Sequence, residues 1–117
     1  MTAGVYDITI EVGATFRLPV IWEDPDGNPI DNTGYEARMK VKKKYSDTVA
    51  LLEFTTTGGQ ITLGGVDGSV TVKGLATVTE GVTAKYGVYD LEMVAPNGDV
   101  DRILMGDVEF SPEVTTS

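Results

Sequence analysis

Neither cysteine nor histidine occurs anywhere in this chain of 117 residues. Without cysteine there is no disulfide framework, no thiol nucleophile and no thiolate metal site. Without histidine the commonest general base and a leading metal ligand are missing as well. Basic residues are scarce: nine Lys and Arg stand against eighteen Asp and Glu, giving a formal charge of −9 and a sequence pI near 4.2. Nucleic acid and anionic membrane repel such a surface, so neither is an expected partner. No apolar run approaches the roughly 20 residues a membrane helix needs. Met1-Thr2-Ala3-Gly4 carries neither the basic segment nor the apolar stretch of a signal peptide. Four serines, Ser46, Ser69, Ser111 and Ser117, sit in turns or at the end, with no base nearby in sequence. Paired carboxylates could hydrolyse glycosides, yet the acids fall mainly at turns and on polar strand faces, where exposed charge is the default. An enzyme is not expected, and no cofactor or metal is called for.

What is present is alternation. Tyr89, Leu91 and Met93 alternate with Val88, Asp90, Glu92 and Val94, the period of a half-buried strand. Pro96-Asn97-Gly98-Asp99 interrupts with turn chemistry, Asn and Gly being the residues that accept positive φ. A second run follows from Val100 to Phe110, with Val100, Leu104, Val108 and Phe110 on one parity and Arg102 as its charged exception. Two such runs on a short link predict an antiparallel hairpin. Tyr89 and Leu91 are expected in the core. Gly106 interrupts the parity of Leu104 and Val108, which marks a bulge or a close approach of another backbone or ring.

Earlier in the chain, Tyr6, Ile8 and Ile10 alternate with Asp7, Thr9 and Glu11 in a short strand ended by Gly13. Thr15 to Trp22 sets Phe16, Leu18, Val20 and Trp22 on one parity, so the lone tryptophan is a core anchor. Pro19 lacks a ladder donor, which places this strand at an edge or a bulge. Ala37, Met39 and Val41 mark a third strand, Leu52 and Phe54 a fourth, Ile61 and Leu63 a fifth, and Val70 and Val72 a sixth. Thr79-Glu80-Gly81-Val82 reads as a single helical turn, and Ser46-Asp47-Thr48 as a cap or a bridge between strands. Ser111 to Ser117 reads as a C-terminal tail leaving the sheet, with Pro112 stopping the pairing.

Three stretches invite a sharper function. Asp24, Asp26, Asn28 and Asp31 offer oxygen ligands to calcium, but Gly27 directly follows the second Asp, unlike a helix-loop-helix calcium loop, so a turn is expected. Gly64-Gly65-Val66-Asp67-Gly68 lacks the lysine and helix start of a phosphate loop and reads as a hairpin connection. Lys42-Lys43-Lys44 is the one basic cluster, either the solvated end of a strand or a docking patch for an acidic partner.

About eight short strands with turn signals every eight to twelve residues predict one all-β domain over 1–117, an antiparallel two-sheet sandwich. Its expected shape is immunoglobulin-like, though without the cysteine pair of antibody domains; a small jelly roll is the alternative.

A further resemblance spans nearly the whole chain. It is carried by Tyr6-Asp7-Ile8-Thr9-Ile10-Glu11 with Gly13 and Phe16, by Trp22 with Asp26-Gly27, and by Ile30-Asp31 and Thr33-Gly34-Tyr35 with Ala37-Arg38-Met39. Tyr89-Asp90-Leu91, Arg102-Ile103-Leu104 with Gly106, and Ser111-Pro112-Glu113-Val114-Thr115 complete it. In the order of these segments the chain resembles small β-rich virion proteins of tailed bacteriophages and prophages. The resemblance implies a structural module of a tail, baseplate or neck, made in the host cytoplasm and assembled into the particle. Its implied partners are other virion proteins, met as a homo-oligomer or as many copies on a symmetric lattice. A capsid decoration protein is one alternative. A carbohydrate-binding module for host attachment is another, with Tyr35, Tyr45, Tyr86 and Tyr89 as candidate stacking platforms. Repeated copies of a −9 chain repel, so they are expected to meet through a strand edge and apolar residues rather than through charge, with Lys42–Lys44 offsetting the repulsion locally against Asp99 or Asp101 of the next copy.

Overall fold

The computed structural model describes residues 4–112. In chain order its elements are β1 (Gly4–Val5), β2 (Ile8–Glu11), β3 (Phe16–Ile21), β4 (Glu36–Lys42), β5 (Leu52–Thr55), β6 (Ile61–Leu63), β7 (Ser69–Gly74), α1 (Ala76–Thr79), β8 (Tyr86–Val94) and β9 (Val100–Ser111). One sheet runs β1-β9-β8-β4-β5 with β2 also on β9, and the other runs β3-β7-β6. The order β3-β7-β6 opposite β4-β8-β9 is that of strands B-E-D and C-F-G of an immunoglobulin domain. The chain is an all-β, immunoglobulin-like sandwich rather than a jelly roll. Among the described residues no helix is long and apolar enough to cross a membrane.

Alternation built the core where it was expected. Ala37, Met39 and Val41 of β4 and Tyr89, Leu91 and Met93 of β8 point inward, opposed by Phe16, Leu18, Val70 and Val72 of the second sheet. Trp22 is 5 % exposed and meets Tyr35 edge to face, with ring centroids 5.4 Å apart.

Four features depart from the sequence expectations. First, β1 and β2 pair with β9 in parallel, not antiparallel, Ile10 lying opposite Phe110. Second, Ser111 does not leave the sheet: it ends β9 opposite Glu11, and its carbonyl accepts from Val12 N. The expected tail keeps only Pro112 within view, and 113–117 lie outside the described residues. Third, the helical turn is Ala76–Thr79, three residues before the expected one. Its Thr79 hydroxyl, buried, donates to Ala14 O at 2.9 Å and accepts from Gly13 N at 3.1 Å, which fixes the turn against the β2–β3 link. Fourth, the hairpin register shifts between Leu91 and Glu92: Leu91 faces Leu104 while Glu92 faces Arg102, so Ile103 is the extra residue of a bulge. That residue flips the parity and carries Arg102 to the outer face. At the hairpin tip only Gly98 takes positive φ, at 94°, and Asn97 does not.

Gly106 lies under the N-terminal segment. A Cβ there would overlap the carbonyl of Tyr6, whose N donates to Met105 O. The Tyr89 hydroxyl donates to the Tyr6 carbonyl from the opposite strand, and Asp7 Oδ1 accepts from Asp107 N at 3.0 Å. Burial, reinforced by Asp7 and Tyr6, pushes the Tyr89 phenol well above its ordinary range, so it remains a donor.

The sheet edges are finished by side chains. Trp22 N donates to Gly68 O, so the even-numbered residues of β3 face β7 and Pro19 turns its donor-less nitrogen outward on an open edge. On β5, Thr56 N donates to Ala37 O, leaving Glu53 and Thr55 to face outward. Gln60 then covers Thr55, its Oε1 accepting from Thr55 N at 3.2 Å and its N donating to Thr55 O at 3.1 Å.

Two substitutions test this packing. Leu91→Ala removes a fully buried side chain and should cost about 2–5 kcal/mol in denaturant unfolding; a loss under about half a kcal/mol would put Leu91 outside the core. Gly106→Val should lower the melting temperature despite its higher strand propensity, because the Tyr6 main chain must lift off β9. Equal stability would mean the crossing relaxes freely.

Candidate interaction surface

The outward parity of β4 is Glu36, Arg38, Lys40 and Lys42, opposite to its buried Ala37, Met39 and Val41. Across the sheet, Arg38 faces Glu92, Lys40 faces Asp90 and Lys42 faces Val88, and β9 adds Arg102 beside Glu92. These side chains apart from Glu36, with Tyr45 from the following loop, line a shallow groove of about 480 Å³ on the outer sheet face. Arg38 Nε bonds Glu92 Oε1 at 2.9 Å, and Arg102 reaches Asp90 at 3.2 Å and Glu92 at 3.9 Å. The two acids are thus shared between two guanidiniums. With the Arg side chains about half exposed, each pair contributes on the order of 0.2–1 kcal/mol. Burial pushes the Asp90 carboxyl up, Glu92 adds to the effect, and Arg102, Lys42 and Arg38 oppose it.

A second groove, about 470 Å³ and mainly apolar, lies where β1 approaches the open edge of β3, between Gly4, Ile21, Trp22, Pro25 and Ile103. Ile21 is 52 % exposed on its rim, and Val5 and Tyr6 stand exposed next to Gly4. Tyr6, on the parity of Ile8 and Ile10, therefore does not join them in the core. The Trp22 Nε1 is buried without a hydrogen-bond partner.

Of the carboxylates in the calcium reading, Asp24 and Asp31 are turned onto their own loops. Asp24 accepts from Asp26 N at 3.0 Å and Asn28 N at 2.9 Å, while Asp31 accepts from the Thr33 hydroxyl and Thr33 N. Among the described residues no group of three or more acids gathers closely enough to hold an ion. The Gly64–Gly68 connection joins β6 to β7, with Asp67 accepting from Ser69 N. Of the candidate tyrosines, Tyr35 and Tyr89 pack inward, whereas Tyr45 and Tyr86 are 62 % and 66 % exposed.

Of the lysine cluster, Lys42 is half-buried in the groove and Lys43 and Lys44 are exposed in the turn beyond it. The structure adds Arg38, Lys40 and Arg102 to the same face. Arg38 and Lys40 could be found from the parity of β4. Arg102 could not, since its placement depends on the bulge at Ile103.

No protein-family model matches the chain, and no curated protein sequence does either. Among solved structures, one described by multimeric cell-adhesive interactions of VGSC beta subunits is similar at 10 % identity. The match covers 98 % of each chain with a TM-score of 0.47. A likeness of that size says nothing of what this chain binds.

The acids should titrate in an order that reports the groove. Hydrogen bonds from the Thr33 hydroxyl and Thr33 N hold Asp31 below the usual carboxylate range, and Ser69 does the same for Asp67. Their stabilisation is present above the unfolded-state pKa and is lost as pH falls through the lowered folded values. Asp90 works with the opposite sign: its contribution is present at low pH and is lost as pH rises through its raised value. In an NMR titration downward from neutral pH, Asp90 should take up its proton before Asp31 and Asp67. Asp90 protonating last would mean the Arg102 pair outweighs burial.

Proposed function

We propose that this chain is a non-enzymatic structural module of a tailed-phage virion, belonging to the tail, baseplate or neck and acting through protein–protein contacts. It is made in the host cytoplasm, joins other virion proteins in the particle, and is used in several copies. The observation that carries this proposal is the apolar groove beside the open β3 edge. Ile21 stands 52 % exposed on its rim, with Pro25 and Ile103 in its lining, and an exposed apolar groove marks a site that a neighbouring protein covers. The ordered resemblance from Tyr6 to Thr115 supplies the kind of neighbour, another virion protein.

One observation favours a second possibility. Tyr45 stands exposed in a groove that also offers Arg38, Asp90 and Glu92, a set able to stack on and hydrogen-bond a sugar. Chemical-shift changes at Tyr45 on titration with host-surface oligosaccharides would support that module.

Cryo-electron microscopy of the source particle tests the main proposal. The expected map places symmetric copies in the tail, baseplate or neck, with Ile21 and Ile103 covered by a neighbour. Copies confined to the capsid surface would make it a decoration protein instead. A solitary copy with the groove facing solvent would overturn the proposal.

A further inference from the structure

We infer that successive copies of this chain dock head to tail, the loop pole of one copy seating on the cationic stripe of β4 in the next. The inference rests on the proposal of a multi-copy structural module and names the surfaces that would meet.

The argument starts with where the topology sends the charges. The links β3–β4, β6–β7 and β8–β9 gather at one end of the sandwich. Asn32, fully buried, ties the first two together: its Nδ2 donates to Ser69 O at 3.0 Å, and its Oδ1 accepts from Gly65 N at 2.8 Å. The third joins them where Gly34 lies against Pro96, a Cβ at Gly34 standing 3.4 Å from the proline ring. These three links carry Glu23, Asp24, Asp26, Asp31, Asp67 and Asp99, and not one Lys or Arg.

The stripe runs the other way. Strand β4 leaves the loop pole at Glu36 and ends at Lys42. Five of the nine cations of the chain fall between Arg38 and Lys44. Arg38 is occupied by Glu92, but among the described residues Lys40, Lys42, Lys43 and Lys44 enter no ion pair. Lys42 to Lys44 lie at the far end from the carboxylates of the loop pole, with Asp47 of their own turn accepting from Lys44 N, so pole and stripe can meet only between molecules. A net charge of −9 makes random approach of two copies repulsive. Charge favours the orientation that brings pole onto stripe, which gives the contact a direction. Different patches on the two partners make the contact heterologous, so repetition builds a ring or a stack. Screening over about 8 Å at physiological salt means the contact tightens as salt is lowered.

Sedimentation of the full chain tests this with two charge-reversed variants. One carries Lys42→Glu, Lys43→Glu and Lys44→Glu; the other carries Glu23→Lys, Asp26→Lys and Asp99→Lys, sparing the loop-forming Asp24 and Asp31. Circular dichroism establishes that each is folded. Wild type should associate at low salt and dissociate as salt is raised. Each variant by itself should associate at least about tenfold more weakly, and their equimolar mixture should recover association. A wild type that stays monomeric at low salt and high concentration overturns the inference, while the particle map still decides the virion proposal. Association that persists in both separate variants overturns it too, and points to an apolar strand-edge contact. A mixture that fails to recover association would likewise refute it.

Discussion

The N-terminal segment can lie on β9 only because Gly106 has no side chain there, and much of the sandwich follows from that contact. The Tyr6 main chain crosses at Gly106, the Tyr89 hydroxyl seizes its carbonyl, and Asp7 accepts from Asp107 N. Those contacts aim the chain so that Ile8 to Glu11 enters in parallel alongside Val108 to Ser111. Strand β9 is then paired on both sides, and Ile8 and Ile10 drop into the core. Without the crossing, the longest strand would expose a row of unsatisfied main-chain groups.

Two buried polar side chains perform a matching task at the two ends. Asn32 joins the loops at one end, and Thr79 joins the helical turn to the β2–β3 link at the other. Each is fully buried and hydrogen-bonds main-chain groups of a distant segment. The loops are held as parts of the framework, so the charges they carry sit at defined places. The dense acidity of one end and the lysines of the other are consequences of connectivity acting on local sequence.

How far the sequence disclosed this depends on the range of each interaction. The β8–β9 hairpin, the inward faces of β3, β4 and β7, and the outward Pro19 could all be read, because period-two patterning and a missing N–H are local properties. The smallness of Gly106 was visible, but Tyr6 as the group that crowds it lies a hundred residues away. The bulge defeated parity: one extra residue at Ile103 carries no signature of its own, and it moved Arg102 from an apparent inner position to the groove. The parallel mate of β2 was hidden, since pairing direction is set by the crossing at Gly106 and not by alternation. Asn32 looked like turn vocabulary until its loop met Gly65 and Ser69. The helical turn was misplaced because Thr79, expected at its start, is its last residue and caps a different segment.

Gln60 and Pro19 bear on shape at a scale larger than the domain. A sheet with bare margins can recruit further strands sideways without limit, the geometry of a fibril. Here Gln60 acts as a molecular hem on β5, leaving a visiting strand only the main chain of Glu53 along that margin. Pro19 interrupts the β3 margin with a ring where a donor is needed. Lateral accretion at those two borders is therefore blocked by two residues, and crowding such domains together favours discrete assemblies over a continuous sheet.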